Sequence, residues 1–392
     1  MQLCPEGFEY KVRLRLQVIK MDLKTRSIRI DWIDGLRGIM TLWIIIYHYT
    51  VCFINKGFVG FGSNYSEEEA LNAFTDNLPI SLFTNSSFPL YVFLLLIAFI
   101  PAYKFFGDHA EESIIRQAKK RYFRLMIPTF TACVINFVFH HAGLLMHIKA
   151  GEESGIVLLT RLMNVDFSFP NLLYEGLILA YIKGSQYVTI SWVMGYIFIG
   201  SYISYGIILL FGRMENKVPV YIGLFVFFFI YDQMYLCFVM GIVTADIIKS
   251  RELRDASSRN PFVSILMIVI GLICAFVPDV VLPKPLAAVT LSAVGASILI
   301  IGMSEVKTIQ AFLENRLLKV INKYSFSAIL IHMPIMAVIS CRQYLIMANM
   351  GVSKGLIILS IFLVAIPIQI LAAFLFQKLT DIIQLKIPRS ST

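Results

Sequence analysis

Three groups of ionisable side chains stand inside or beside long apolar runs, where each carries a free-energy cost that points to function. The first run holds Asp34, Arg37 and His48. On a helix Arg37 and His48 share one face, roughly 16 Å apart along the axis, with Asp34 about a turn before Arg37. A guanidinium at a membrane boundary with an imidazole at depth suits an anion held at an entrance and a proton acceptor further in. The plainer alternative is that Asp34 and Arg37 pair at a helix end while His48 bonds a neighbouring helix. A second histidine bears on that choice. His332 lies roughly 13 Å past Lys323 on another apolar run, and two histidines at similar depth on different helices point to one polar cavity.

Arg121-Tyr122-Phe123-Arg124, preceded by Arg116, Lys119 and Lys120, opens a third run. Arg121 and Arg124 fall on one helix face. Charge alone makes them an anchor for lipid headgroups; paired guanidinium groups also clamp phosphates. His140, His141 and His147 fall toward the far end of that run, at the interface, where they would face an acceptor. No metal is indicated, since His48 and His332 have no Cys, Asp or Glu at ligand spacing. The six cysteines are scattered without a Cys-x-x-Cys pair, so neither a disulfide framework nor a zinc site is expected.

The elements that position these groups follow from composition. Of the 392 residues 58% are hydrophobic and 15% charged, against about 25% charged in a soluble domain. The net charge of +9 gathers in tails and short loops, as in a membrane protein's cytoplasmic segments and unlike a nucleic-acid-binding face. Clear apolar spans are 36–54, 82–103, 125–147, 186–211, 262–278, 285–303, 324–346 and 355–377. Between Lys217 and Lys249 two shorter runs break at Asp232. Reading them as a hairpin puts Arg213 and Lys217 on the same side as Lys249, Arg251, Arg254 and Arg259, which the positive-inside rule favours. The fold class is therefore an all-α membrane protein, a polytopic bundle of about ten transmembrane helices, since a barrel would alternate apolar and polar residues.

The expected domains are a cytoplasmic N-terminal tail at 1–28, a membrane domain at 29–378 and a cytoplasmic C-terminal tail at 379–392. Basic residues Lys11, Arg13, Arg15 and Lys20 exclude a signal peptide in the first twenty positions, and Met21 is an alternative start. The largest outer loop is 148–185, long enough to fold over the membrane face and meet a polar ligand.

Arg29-Ile-Asp-Trp-Ile-Asp-Gly-Leu-Arg-Gly-Ile-Met followed by His48 resembles the opening of the acyltransferase-3 family of integral membrane O-acyltransferases. The family's Arg-x-x-Arg is matched by Arg121 and Arg124. Asn322-Lys-Tyr-Ser-Phe-Ser-Ala-Ile-Leu-Ile-His-Met-Pro is similar to its penultimate-helix segment, with His332 at its histidine. Trp192-Val-Met and Gly200-Ser201 resemble its Trp-Thr-Met stretch. The likeness runs from about residue 28 to 378. Two departures stand out: Ile197, where many relatives carry Glu after that Trp, and Ile97-Ala98, where a Ser-Gly pair is usual.

The resemblance implies transfer of an acyl group, commonly acetyl from acetyl-CoA, to a hydroxyl on a carbohydrate or lipid-linked sugar. Arg37, Arg121 and Arg124 would hold the phosphates of the acyl-CoA at the cytoplasmic mouth. His48 would deprotonate the acceptor or carry the acyl group. His332, Tyr324 and Ser325 would line the cavity or orient His48, and Trp192 would border the acceptor side. The implied setting is the plasma or inner membrane, with both termini cytoplasmic, membrane lipids around the bundle and polysaccharide-assembly machinery as a partner. Intramembrane histidines would also serve a transporter, though no repeated halves are found; the two departures would suit a non-catalytic relative.

Overall fold

The computed structural model describes residues 30–54, 87–252, 260–276 and 285–386. The expected tail 1–28 with the alternative start at Met21, the acidic cluster Glu67–Glu69, Arg254 and Arg259, and the end of the C-terminal tail lie outside the described residues.

A bilayer offers no partners to backbone N–H and C=O groups, so apolar runs satisfy them internally as helices. Among the described residues every regular element is helical. The long helices are α1 (Asp31–Phe53), α2 (Ser87–Asp108) and α3 (Glu111–His141). Three short helices follow: α4 (His147–Ser154), α5 (Val157–Arg161) and α6 (Phe169–Leu177). Then come α7 (Trp192–Phe211), α8 (Val218–Tyr231), α9 (Leu236–Glu252), α10 (Pro261–Phe276) and α11 (Pro285–Met303). The short α12 (Lys307–Leu313) and α13 (Arg316–Lys323) precede α14 (Ser325–Ile335), which continues through a π-helical turn at Met336–Ser340 into α15 (Cys341–Asn349). The last is α16 (Lys354–Lys386).

Seven of these spans, α14–α15 counted as one, are long and apolar enough to cross a bilayer, and eight if the pair bent by 103° at Val289–Met303 and Lys307–Leu313 counts as a further one. The shorter apolar stretches Val218–Tyr231 and Pro261–Cys274 would both have to cross to reach the expected ten.

The break at Asp232 is a hairpin. Asp232 leaves the helix with extended backbone and accepts hydrogen bonds from the Met234 N–H at 3.0 Å and the Tyr196 hydroxyl at 3.1 Å. At the other end of the pair, Lys217 and the Tyr221 hydroxyl reach Asp246 at 3.4 and 3.0 Å, so α8 and α9 run antiparallel. Arg213–Glu111 at 2.9 Å, Lys249–Glu252 at 2.9 Å and Arg251–Glu305 at 2.7 Å gather with them at this end of the bundle, called the basic end below.

The segment expected to lie over the outer face behaves differently. Phe167 stacks on His140 at 4.0 Å near the end of α3. From there α6 descends beside α3 until the Leu177 carbonyl accepts from the Tyr122 hydroxyl at 2.8 Å. His140 and Tyr122 are roughly 27 Å apart along α3, so the chain passes through most of the bundle's depth. It turns at residues 178–184 and climbs back past Cys133, which faces Ser185, to Asn136, whose amide donates to the Tyr187 carbonyl at 2.5 Å. Buried Glu175 on the descending arm accepts the Gln186 N–H of the ascending arm at 2.7 Å. Phe169–Leu177 is mostly apolar and short, and side chains of α3 supply the polar partners for its loop carbonyls, so the bundle admits it.

Candidate active site

The site is built where α1 crosses α12–α14. Lys319 donates to Asp31 at 2.6 Å, and the Asn322 amide donates to Asp34 at 2.9 Å. Beside these contacts the helices approach backbone to backbone. A Cβ on Gly35 would overlap the Leu313 carbonyl, and one on Gly38 would sit 2.6 Å from the Leu318 oxygen. The Asp-Gly-Leu-Arg-Gly stretch is thus first a docking surface: acids to hold α13, glycines to let it come close.

That docking sets His48 on α1 against His332 on α14. The ring centroids are 4.9 Å apart, with planes at 53°, and Tyr47 meets the His48 ring edge-on at 5.0 Å. The Nδ1 of His48 lies 2.7 Å from the Ile44 carbonyl, and the Nδ1 of His332 lies 2.7 Å from the Ile329 carbonyl. A carbonyl only accepts, so each Nδ1 carries the proton. Each neutral ring then keeps its lone pair on Nε2. His332 is fully buried and its Nε2 has no hydrogen-bond partner among the described residues. Two basic nitrogens in a desolvated setting, oriented by their own helices, are equipped to take a proton from a hydroxyl.

Toward the basic end, Arg37, Arg121 and Arg124 lie within electrostatic reach of one another, with Asp34 beside Arg37 and Tyr205 and Tyr202 beside Arg121. The Arg121 Nε is buried without a hydrogen-bond partner among the described residues. Three mutually repelling guanidinium groups near one carboxylate leave local positive charge, which an anion of several phosphate oxygens would balance. The structure therefore groups the five sequence-derived candidates into two clusters, the arginines toward the basic end and the histidines further along α1.

The remaining candidates occupy other places. The Tyr324 ring packs on Phe374 of α16 at 5.6 Å, while Ser325 is buried in the first turn of α14. Trp192 opens α7, 38% exposed, with its indole edge-on to Tyr196. His147 is buried at the start of α4, whereas His140 and His141 are at the end of α3. Sequence reasoning missed Asp31, Lys319 and Asn322 as the clasp of the site; the amphipathic run after Asn315 was the available signal. Among the described residues no group of three or more His, Cys, Asp or Glu is placed to hold a metal.

The comparison with protein families decides what such a site belongs to. Residues 30–378 match the description of an acyltransferase domain. The chain belongs to the acyltransferase-3 family. It is a membrane acyltransferase, and the match spans nearly the whole chain, including both histidines and all three arginines. No curated protein and no solved structure matches this acyltransferase. At one of its two departures, Ala98 is fully buried where α2 meets Gly241 of α9. At the other, Ile197 on α7 packs against buried aromatic and aliphatic side chains that include Leu125 and Tyr181. Both replacements are apolar residues in packed surroundings.

Proposed function

We propose that this acyltransferase moves an acetyl or other short acyl group from acyl-CoA to a hydroxyl of a cell-surface carbohydrate or lipid-linked sugar. The observation that carries the reading is the pairing of His48 and His332 with both Nε2 lone pairs uncommitted to their own helices. Arg37, Arg121 and Arg124 receive the donor's phosphates at the basic end, which faces the cytoplasm together with both termini, in a plasma or inner membrane. The acyl arm then extends along α1 and α3 toward the histidines.

His48 Nε2 takes the proton of the acceptor hydroxyl as its oxygen forms a bond to the thioester carbonyl carbon. The carbon–sulfur bond breaks, and the leaving CoA thiolate collects the proton from the imidazolium. His332 accepts a second hydrogen bond from the acceptor and holds it against His48. Ser325 and Tyr324 support the start of α14, and Trp192 borders the acceptor's approach. Polysaccharide-assembly enzymes would supply or receive such an acceptor.

The test is acyl transfer by the full chain purified in detergent, using acetyl-CoA labelled in the acetyl group and a panel of glycans and glycolipids. Labelled product that disappears in His48→Ala supports the reading. A chain that binds no CoA, or a His48→Ala variant with full transfer, overturns it.

A further inference from the structure

Beside the π-helical turn lies an open groove of about 390 Å³ between α14–α15 and α16, distinct from the histidine and arginine clusters. Its walls are Val338, Ile339, Ile346 and Val364, and the polar groups along it are Arg342 and Gln343. From Lys323 to Arg342 the helix rises roughly 28 Å, close to the ~30 Å thickness of a hydrocarbon core. Arg342 therefore stands near the boundary opposite the basic end. It is exposed, and no carboxylate among the described residues pairs with it. The Gln343 amide donates to Ser360 of α16 at 3.0 Å, which ties the two walls together at the groove.

A guanidinium that no carboxylate among the described residues pairs, at a membrane boundary above an apolar trough, matches one kind of molecule in charge and shape: an anionic phosphate on a long hydrocarbon chain. A volume of this size holds part of a chain rather than a whole lipid. The π-helical turn contributes to it directly, because Val338 and Ile339 belong to that turn. Such turns are rare and frequently mark functional positions within helices. Arg342 is also roughly 15 Å along the axis from His332, within the span of a sugar headgroup.

We propose that this groove docks a lipid phosphate, its chain against Val364 and Ile339 and its phosphate on Arg342, and that this lipid is the anchor of the acyl acceptor. The second half rests on the acyl-transfer reading above; the docking itself does not.

The full chain in phosphatidylcholine nanodiscs doped with polyprenyl phosphate or with phosphatidylglycerol, each carrying a photoreactive chain, separates the alternatives. The expected result is several-fold stronger crosslinking of polyprenyl phosphate than of phosphatidylcholine, mapped to α15 and α16. Arg342→Ala should remove the preference and Arg342→Lys retain most of it, while Val364→Trp reduces labelling by filling the trough. Equal labelling for all headgroups overturns the proposal, since that is ordinary surrounding lipid. A crosslink to a second copy of the chain, or to another of its own segments, overturns it by showing a different occupant. CoA binding is measured on the same samples. Loss of headgroup preference with CoA binding intact refutes the groove alone, whereas absent CoA binding with the preference intact refutes the acyl-transfer reading and the acceptor role with it.

Discussion

The Asn322 amide donates to the Asp34 carboxylate across 2.9 Å and so fixes the rotation of the two helices that carry His332 and His48. Asp34 stands on the helix of His48, and Asn322 ends the short helix that leads into that of His332. A hydrogen bond near the basic end therefore contributes to a ring contact deeper in the bundle. Replacing Asn322 with Asp sets two carboxylates together and should lower transfer more than Asn322→Ala does. The double exchange Asp34→Asn with Asn322→Asp should restore much of it, because donor and acceptor are both present again. Recovery in kcat with little change in donor KM is the outcome that marks a positioning role. A double exchange no better than either single one refutes it.

His48→Ala and His332→Ala are both expected to lower transfer, with His48 the larger. A positioned general base contributes typically 10²–10⁴-fold. Labelled product formation at saturating donor checks this, with donor affinity held unchanged, since the arginines lie closer to the basic end. Loss of donor affinity equal to loss of rate would show that the histidines hold the fold rather than the reaction.

Arg121→Ala and Arg124→Ala should each weaken CoA binding by roughly tenfold or more, as a charged hydrogen bond contributes about 1.5–3 kcal/mol. The comparison that decides between donor clamp and lipid anchor is 3′,5′-adenosine diphosphate binding by titration calorimetry. A clamp loses affinity for it; a lipid anchor does not.

Gly35→Ala and Gly38→Ala should destabilise the protein by about 1–3 kcal/mol each, the ordinary range for overpacking. A Cβ at either position meets backbone of the Leu313–Leu318 stretch, which has little room to yield. Gly223→Ala on α8 is the control, with nothing within 4 Å of its added Cβ. Thermal unfolding in detergent should fall for the first two and not for the third.

The buried His147 gives a pH dependence whose sign follows from its surroundings. Burial lowers its proton affinity below the ordinary range, so the folded form keeps it neutral. As pH falls below about 6.5 the unfolded chain gains a proton there that the folded chain does not. Stability is thus complete above that pH and decreases below it, by up to about 1.4 kcal/mol per pH unit. The unfolding temperature should fall between pH 7 and pH 5, and His147→Gln should flatten the fall. An identical slope in the variant would assign the dependence to other groups.

The sequence by itself determined that the chain is a helical membrane protein, because too few charges and long apolar runs admit no other solvent. It also fixed the hairpin at Asp232, through the side on which lysines and arginines must lie. Arg37 and His48 were legible together because one helix sets their spacing by its own geometry. The approach of His332, by contrast, depends on contacts between segments far apart in the chain: Gly35 against Leu313, Gly38 against Leu318, Asp34 against Asn322. Local spacing carries no information on those. The descent of residues 169–187 into the bundle was hidden for the same reason. Its loop carbonyls are satisfied by Tyr122 and Asn136 side chains on another helix, and only tertiary structure supplies the partners that let loop backbone lie at depth.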